Sequence, residues 1–163
     1  MAMWFAVHTK ARHEFTAARY LKAHGIEPFI PVYQSRRQWS DRVKIVKLPL
    51  FGGYLFVEID TRGFTRVLEA PGVVNIVGFG GKPTPVPESE IRAVQRLVAS
   101  GLPASPHPYL KAGDRVRIKG GPLDQLEGTL QRIRNQWRFV LSVEMLQRAV
   151  SVEVDSELVE PVR

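Results

Sequence analysis

The chain reads as an α+β protein: a mixed or antiparallel sheet flanked by helices, followed by a small all-β barrel. Three observations predict this. Apolar residues recur at helical spacing over residues 11–24 and 87–100, between short segments rich in β-branched and aromatic residues. Residues 102–109, LPASPHPY, hold three prolines among small residues with no periodicity, which is the composition of a semi-rigid linker. From Lys111 onward the period changes to two. The expected organisation is therefore a helices-on-sheet domain over 1–100, a linker over 101–109 and a barrel over 110–163.

Composition narrows the class. At 163 residues and 44% hydrophobic content the chain can bury a core in one domain or in two small ones. No apolar run approaches the roughly 18–20 residues that cross a bilayer, and the N-terminus opens directly on strand formers, so no membrane or secretory role is expected. The absence of cysteine rules out disulfides, thiolate metal sites and a cysteine nucleophile, and it suits a reducing cytoplasm. The net charge of +7 is unevenly spread: residues 1–47 carry nine Lys/Arg against three acids, a net of +6, whereas residues 48–163 carry fourteen against thirteen. A surplus concentrated at the front is the electrostatic footprint of a nucleic acid or an acidic partner.

The first strand is expected over residues 3–8, with Trp4 and Ala6 on one face and Phe5 and Val7 on the other, delivering His8 and Lys10 to a surface. Residues 11–24 follow as a helix with the stripe Ala11, Phe15, Ala18 and Leu21, ended by Gly25. Arg12 and Arg19, seven positions apart, would lie along one side of it as a basic ridge. Residues 26–32 (IEPFIPV) carry two prolines and belong at a sheet edge. Residues 34–47 (QSRRQWSDRVKIVK) interleave Trp39 with Arg36, Arg37, Arg42, Lys44 and Lys47, as expected of a projecting hairpin that grips nucleic acid by charge and stacking.

Residues 49–57, PLFGGYLFV, form the most apolar stretch near the middle of the chain. A glycine turn leads into a strand that places Tyr54 and Phe56 on one face and Leu55 and Val57 on the other. Taken alone it is a core strand; with one face packed on a helix, the other leaves two aromatics lining a groove for a partner helix. A short helix with Phe64, Val67 and Leu68 inward is expected over 61–70, closed by Pro71-Gly72, then a strand over 73–77. The glycines of residues 78–86 (GFGGKPTPV) lack the Gly-Lys-Ser/Thr ending and the following helix of a phosphate loop, so no nucleotide site is read there. Residues 87–100 form a helix with acids in its first turn and Ile91, Val94, Leu97 and Val98 inward. In the last part Val116 and Ile118, then Phe139, Leu141 and Val143, then Val150, Val152 and Val154 alternate as strands, so residues 140–148 are read as strand in preference to helix. Gly120-Gly121-Pro122 is a turn, and Gly128 is assigned the bend or bulge that closes the small sheet.

The segments WFAVH (4–8), PLFGGYLFV (49–57), the V-x-x-x-V-G-x-G-x-x-P-x-P element that starts at Val73, and GDRVRIKGGPLDQLEG (113–128) occur in an order that resembles the NusG family of transcription elongation factors over essentially the whole chain. The resemblance implies a NusG N-terminal-like domain followed by an SH3-like KOW barrel, whose motif falls on Gly113, Val116, Gly120, Pro122 and Gly128. It implies docking of the first domain on the clamp helices of the RNA polymerase β′ subunit, with Tyr54 and Phe56 as pocket residues supported by Phe51 and Trp4. It also implies that His8, Lys10, Arg12, Arg19, Arg36 and Arg37 face upstream DNA, weakly and by charge. The barrel in that family recruits a ribosomal small-subunit protein or the termination factor Rho. A monomer without cofactor or metal is implied.

Two departures stand out. The family's usual proline after Leu-Phe is Gly52 here, and the positions that specialised members use to read bases carry Tyr20, Ala23, Pro71 and Gly72, few of which hydrogen-bond through side chains. A general factor and an operon-dedicated one stay open. The alternative is a ribosome-associated KOW protein that binds RNA, which the near balance of residues 101–163 (nine Lys/Arg against eight acids) disfavours. An enzyme is not expected, because His8, His13, His24 and His107 have no nucleophile, paired carboxylate or ligand cluster beside them.

Overall fold

The computed structural model describes residues 1–110 and 113–162; Lys111, where the period-two pattern was expected to begin, Ala112 and Arg163 lie outside the described residues. The chain divides into two compact units, Met1–Ile91 and Arg92–Arg163.

In the first unit β1 (Met3–Thr9) lies inside a four-stranded antiparallel sheet between β5 (Tyr54–Ile59) and β6 (Val73–Ile76), with β2 (Pro28–Phe29) on the outer edge of β5. The edge position suits a segment whose prolines cannot donate to a second neighbour. Val7 faces Leu55 and Phe5 faces Val57 in the β1–β5 ladder, so these side chains share one face. They pack with Ile59 and Ile76 against Ala17 and Leu21 of α1 (Glu14–Ala23) and against Val67 of α2 (Phe64–Leu68). Phe5 also meets Phe64 edge-on, ring centroids 5.1 Å apart.

The helices depart from the expected stripes. α1 starts at Glu14, not Ala11, and buries Glu14, Ala17 and Leu21, leaving Phe15 exposed. The cause lies just ahead: Arg12 takes a left-handed φ of 66° inside a turn closed by His13 N–H donating to the Lys10 carbonyl at 3.1 Å, and a helix cannot run through that conformation. Arg12 is therefore not on the helix, and the basic ridge it was to share with Arg19 does not form. On α2, Val67 is buried and Phe64 packs on the core, but Leu68 is exposed.

β3 (Val32–Trp39) and β4 (Arg42–Pro49) pair over their whole length as a separate two-stranded sheet, the hairpin that the basic stretch predicts. A small hairpin, β7 (Gly78–Phe79) with β8 (Lys82–Pro83), occupies the glycine-rich segment, its turn made by Gly80 and Gly81 at positive φ. The division between units falls within α3 (Glu88–Ala99), whose Ile91, Val94 and Leu97 are buried.

The second unit is a six-stranded antiparallel sheet. Its order is β14 (Val159–Pro161), β10 (Asp114–Ile118), β11 (Glu127–Ile133), β12 (Gln136–Val143), β13 (Arg148–Val154), β9 (Ala104–His107). The stretch expected as linker, 101–109, thus contains a strand: Ala104–His107 pairs with Ala149–Val152 despite Pro106, which an edge strand tolerates. Residues 140–143 and 148 are strand as the alternation predicts, but a 3-10 turn over Glu144–Leu146, closed by Gln147 at a left-handed φ of 49°, joins them where strand was expected throughout. The strict inside-outside alternation does not hold, however: Val140 and Ser151 are buried along with Phe139, Val150 and Val152, so the middle strands are covered on both faces.

Candidate functional site

The first unit's sheet has a second face, opposite the helix core. Trp4, Ala6 and His8 on β1 stand beside Glu58, Phe56 and Tyr54 on β5, and Phe56 stands beside Phe29 on β2. Rings run across this face in contact: Phe51 meets Phe56 edge-on at 5.7 Å, Phe56 meets Phe29 at 6.1 Å, and Phe29 meets Trp4 at 6.3 Å. Tyr54 stacks on His8 at 5.2 Å with an interplanar angle of 27°. All four residues expected as a pocket are brought to one region, and the alternation of Tyr54 and Phe56 against Leu55 and Val57 holds.

Exposure corrects the picture of an open groove. Phe51 is 1% and Phe56 0% exposed, while Trp4, Phe29 and Tyr54 are half-buried. Phe56 is flanked by two other rings, so it forms the floor of the aromatic face and cannot itself be a first point of contact. Phe29 joins the row although its proline-flanked segment announced only an edge strand; β2 pairing beside Phe56 is what puts it there.

The end of β1 is clasped by two glycine loops. Thr9 N–H donates to the Gly53 carbonyl and Lys10 N–H to the Gly72 carbonyl, each at 2.8 Å. Gly53 and Gly72 both sit at φ of 85°, and a Cβ on Gly72 would fall 2.4 Å from that of His13. The Gly53 N–H in turn donates to the buried carboxylate of Glu14 at 2.7 Å. Reading the sequence missed Glu14, since an acid in a first helical turn ordinarily faces water. Gly52 is free of such demands: nothing lies within 4 Å of a Cβ built there, so the missing family proline leaves no void to explain.

The six residues expected to face nucleic acid occupy three separate elements. His8, Lys10 and Arg12 lie at the end of β1 and in its turn, Arg19 is exposed on α1, and Arg36 and Arg37 are exposed on β3. The last two point to opposite faces of the hairpin. Arg37 and Trp39 share a face with Lys44 and Arg42, their ladder partners, and the Lys44 ammonium lies 5.6 Å from the Trp39 ring centre. Arg36 shares the other face with Ile45, its partner, and with Val43 and Lys47. Trp39 is 52% exposed, so this hairpin displays an aromatic plate among cations.

In the second unit the expected motif residues fall around the β10–β11 ladder. Val116 is buried opposite Gly128, and a Cβ on Gly128 would sit 2.7 Å from the Phe139 ring and from the Val140 carbonyl oxygen. The glycine is required for this close approach, and of the bend or bulge expected there the bulge is absent: the ladder passes through it in register from Asp114 to Arg117. Gly113 lies similarly tight against the Thr129 methyl group, 2.5 Å from a built Cβ. Gly120 and Gly121 turn at positive φ, and Gly120 N–H donates to the Asp124 carboxylate at 2.6 Å. That hydrogen bond holds the Asp124 carboxyl below the usual carboxylate range. The Pro122 carbonyl accepts from Arg96 at 3.0 Å.

Among the described residues no three His, Asp or Glu side chains come together as a metal site, and no helix is long and apolar enough to cross a membrane. The family model described as "Transcription termination factor nusG" matches residues 2–95. The chain is 25% identical to the transcription termination/antitermination protein NusG of Borreliella burgdorferi, over 98% of each chain. It is 28% identical to the protein of the same name from Thermus thermophilus, over 93% of this chain and 94% of that one. Among solved structures it superposes on Thermotoga maritima NusG with a TM-score of 0.62 at 24% identity, covering 100% of this chain and 98% of the other, a likeness of fold. With the aromatic sheet face and the glycine-clasped end of β1 lying inside the matched residues, the chain belongs to the NusG family of transcription termination and antitermination factors.

Proposed function

We propose that this transcription factor docks on RNA polymerase through the aromatic face of its first unit, receiving the clamp helices of the β′ subunit, and so modulates pausing, termination or antitermination. The observation that carries the reading is the continuous ring row from Phe51 through Phe56 and Phe29 to Trp4 on the side of the sheet away from α1 and α2. In this reading Trp4, Phe29 and Tyr54 supply contact area, and Phe51 and Phe56 hold them in place. His8, Lys10, Arg12, Arg19 and the β3–β4 hairpin face upstream DNA and attract it by charge. The second unit acts as the KOW domain and recruits a ribosomal small-subunit protein or Rho, with no catalytic step.

The test is affinity capture of polymerase by the full chain and by Tyr54→Ala, whose half-buried ring can be removed without opening the floor at Phe56. Capture is expected to fall at least tenfold, the loss of one interface anchor of about 2 kcal/mol, with the melt retained. Unchanged capture by a folded Tyr54→Ala protein refutes the docking face. Ribosomes captured in place of polymerase favour a ribosome-associated role.

A further inference from the structure

A buried acid on α1 reaches the loop that presents Tyr54. Phe51, Gly52, Gly53 and Tyr54 make a tight turn, closed by Tyr54 N–H donating to the Phe51 carbonyl at 3.0 Å. Gly53, third in the turn, has a φ of 85°, and Gly52, second, stays out of the left-handed region, which is the pattern of a type II turn. The chain passes from it into β5, where Tyr54 stands opposite His8 in the ladder and stacks on its ring at 5.2 Å. Two glycines in succession allow this geometry without preferring it, because neither has a side chain to restrict the backbone. Whatever fixes the turn must act on it from outside.

Two hydrogen bonds do so, both at Gly53. Its carbonyl accepts from Thr9 N–H at 2.8 Å, and its N–H donates to the Glu14 carboxylate at 2.7 Å. That N–H belongs to the peptide between Gly52 and Gly53, the central peptide of the turn, whose orientation is what distinguishes a type II turn from a type I. An acid in the first turn of a helix ordinarily faces water and complements the helix's positive end. Glu14 is instead 5% exposed, and its carboxylate serves a backbone amide 39 positions away. Burying a carboxylate is costly unless hydrogen bonds compensate it, so the Gly53 N–H and the Glu14 side chain hold each other in place.

We propose, resting on the docking role given to Tyr54, that Glu14 is a positioning residue for the aromatic face: it holds the Gly52-Gly53 peptide in the type II orientation and so sets Tyr54 against His8. Without the carboxylate the central peptide is free to turn over. Tyr54 then leaves His8 in a share of the molecules, and affinity for the partner falls by that share.

The test has two readouts on the full chain, capture of polymerase and the NMR signals of the His8 ring protons, which the stacked Tyr54 ring displaces in the free protein. Glu14→Ala is expected to move the His8 signals toward their positions in Tyr54→Ala and to lower capture about fivefold. Adding Gly52→Pro should return the His8 signals and bring capture to within about twofold of the unaltered chain, because Pro-Gly favours a type II turn. The site admits it: a Cβ at residue 52 meets nothing within 4 Å, and among the described residues the Gly52 N–H makes no backbone hydrogen bond that proline would remove. An acid that served only α1 or the core would not be rescued by a proline in the turn. If Glu14→Ala loses its melt, Glu14→Asp, one methylene short of Gly53, takes its place with the same expectation. His8 signals unmoved in the folded variant, or no recovery on adding Gly52→Pro, overturn the positioning role. Should Tyr54→Ala itself leave capture unchanged, the docking face fails and the His8 signals alone decide the role of Glu14.

Discussion

Two hairpins of this chain carry the same chemistry in different settings. The β3–β4 hairpin pairs Trp39 with the Lys44 ammonium at 5.6 Å, and the β11–β12 hairpin pairs Trp137 with the Arg132 guanidinium at 5.5 Å. The first stands as its own two-stranded sheet, and its Trp39, Val43 and Ile45 are exposed. The second lies inside a six-stranded sheet with Phe139 and Val140 fully covered. On a free-standing hairpin both faces meet water, so its cations act as one electrostatic surface and show in a running charge count. Inside a sheet the pleat sends alternate residues to separate environments, so Arg138 enters a polar cluster while its neighbour Phe139 enters the core, and counting cannot tell them apart.

Removing a ring from each hairpin should show the difference most strongly. Phe139→Ala is expected to cost about 3–5 kcal/mol of stability, visible as a lowered melting temperature or loss of the second unit's transition. Trp39→Ala should stay within about 0.5 kcal/mol. A comparable loss at Trp39 would mean that the hairpin packs on something and is not free-standing.

Charge gives the next effect. Changing Arg37, Arg42 and Lys44 to Ser removes three cations from the Trp39 face and should lower the slope of log K against log salt for duplex DNA by about 2 to 3. Loss of affinity with an unchanged slope would assign the face to specific contacts instead of phosphate neutralisation.

The smallest effect concerns the turn ahead of β11. Asp124 has a folded pKa below its ordinary value because the Gly120 N–H donates to it. Its contribution is therefore present above the unfolded pKa and is lost as pH falls through the lower folded one. The Gly120 amide resonance should shift with that titration and its exchange should quicken only in acid. A Gly120 amide that shifts instead in the neutral range would show that another group governs the turn.

Alternation patterns made β1, β5 and the late strands legible, and the basic hairpin could be read from its composition. The helix stripes were read less well. The start of α1 depends on Arg12 turning left-handed and on Glu14 reaching Gly53, a residue 39 positions away, and neither contact leaves a local trace. The alternation in PLFGGYLFV puts Tyr54 and Phe56 on one face, but the burial of Phe51 and Phe56 depends on rings supplied from elsewhere in the fold. The strand Ala104–His107 inside the expected linker has no alternation of its own to announce it, because its four residues are fixed by pairing with Ala149–Val152 at a sheet edge that tolerates Pro106.

By itself the sequence determined which segments alternate, where the positive charge is concentrated, that no thiol chemistry is possible, and which family order the motifs follow. These are properties of residue type and spacing along the chain. Tertiary structure alone decided that Phe29 joins Phe56, that Glu14 is buried, that Gly128 lies beneath Phe139, and that His107, Ser151 and Arg138 meet across three strands. Each of these depends on residues 11 to 44 positions apart brought close by sheet register and curl. Local propensity carries no information about that distance, because it is set by the chain's packing as a whole.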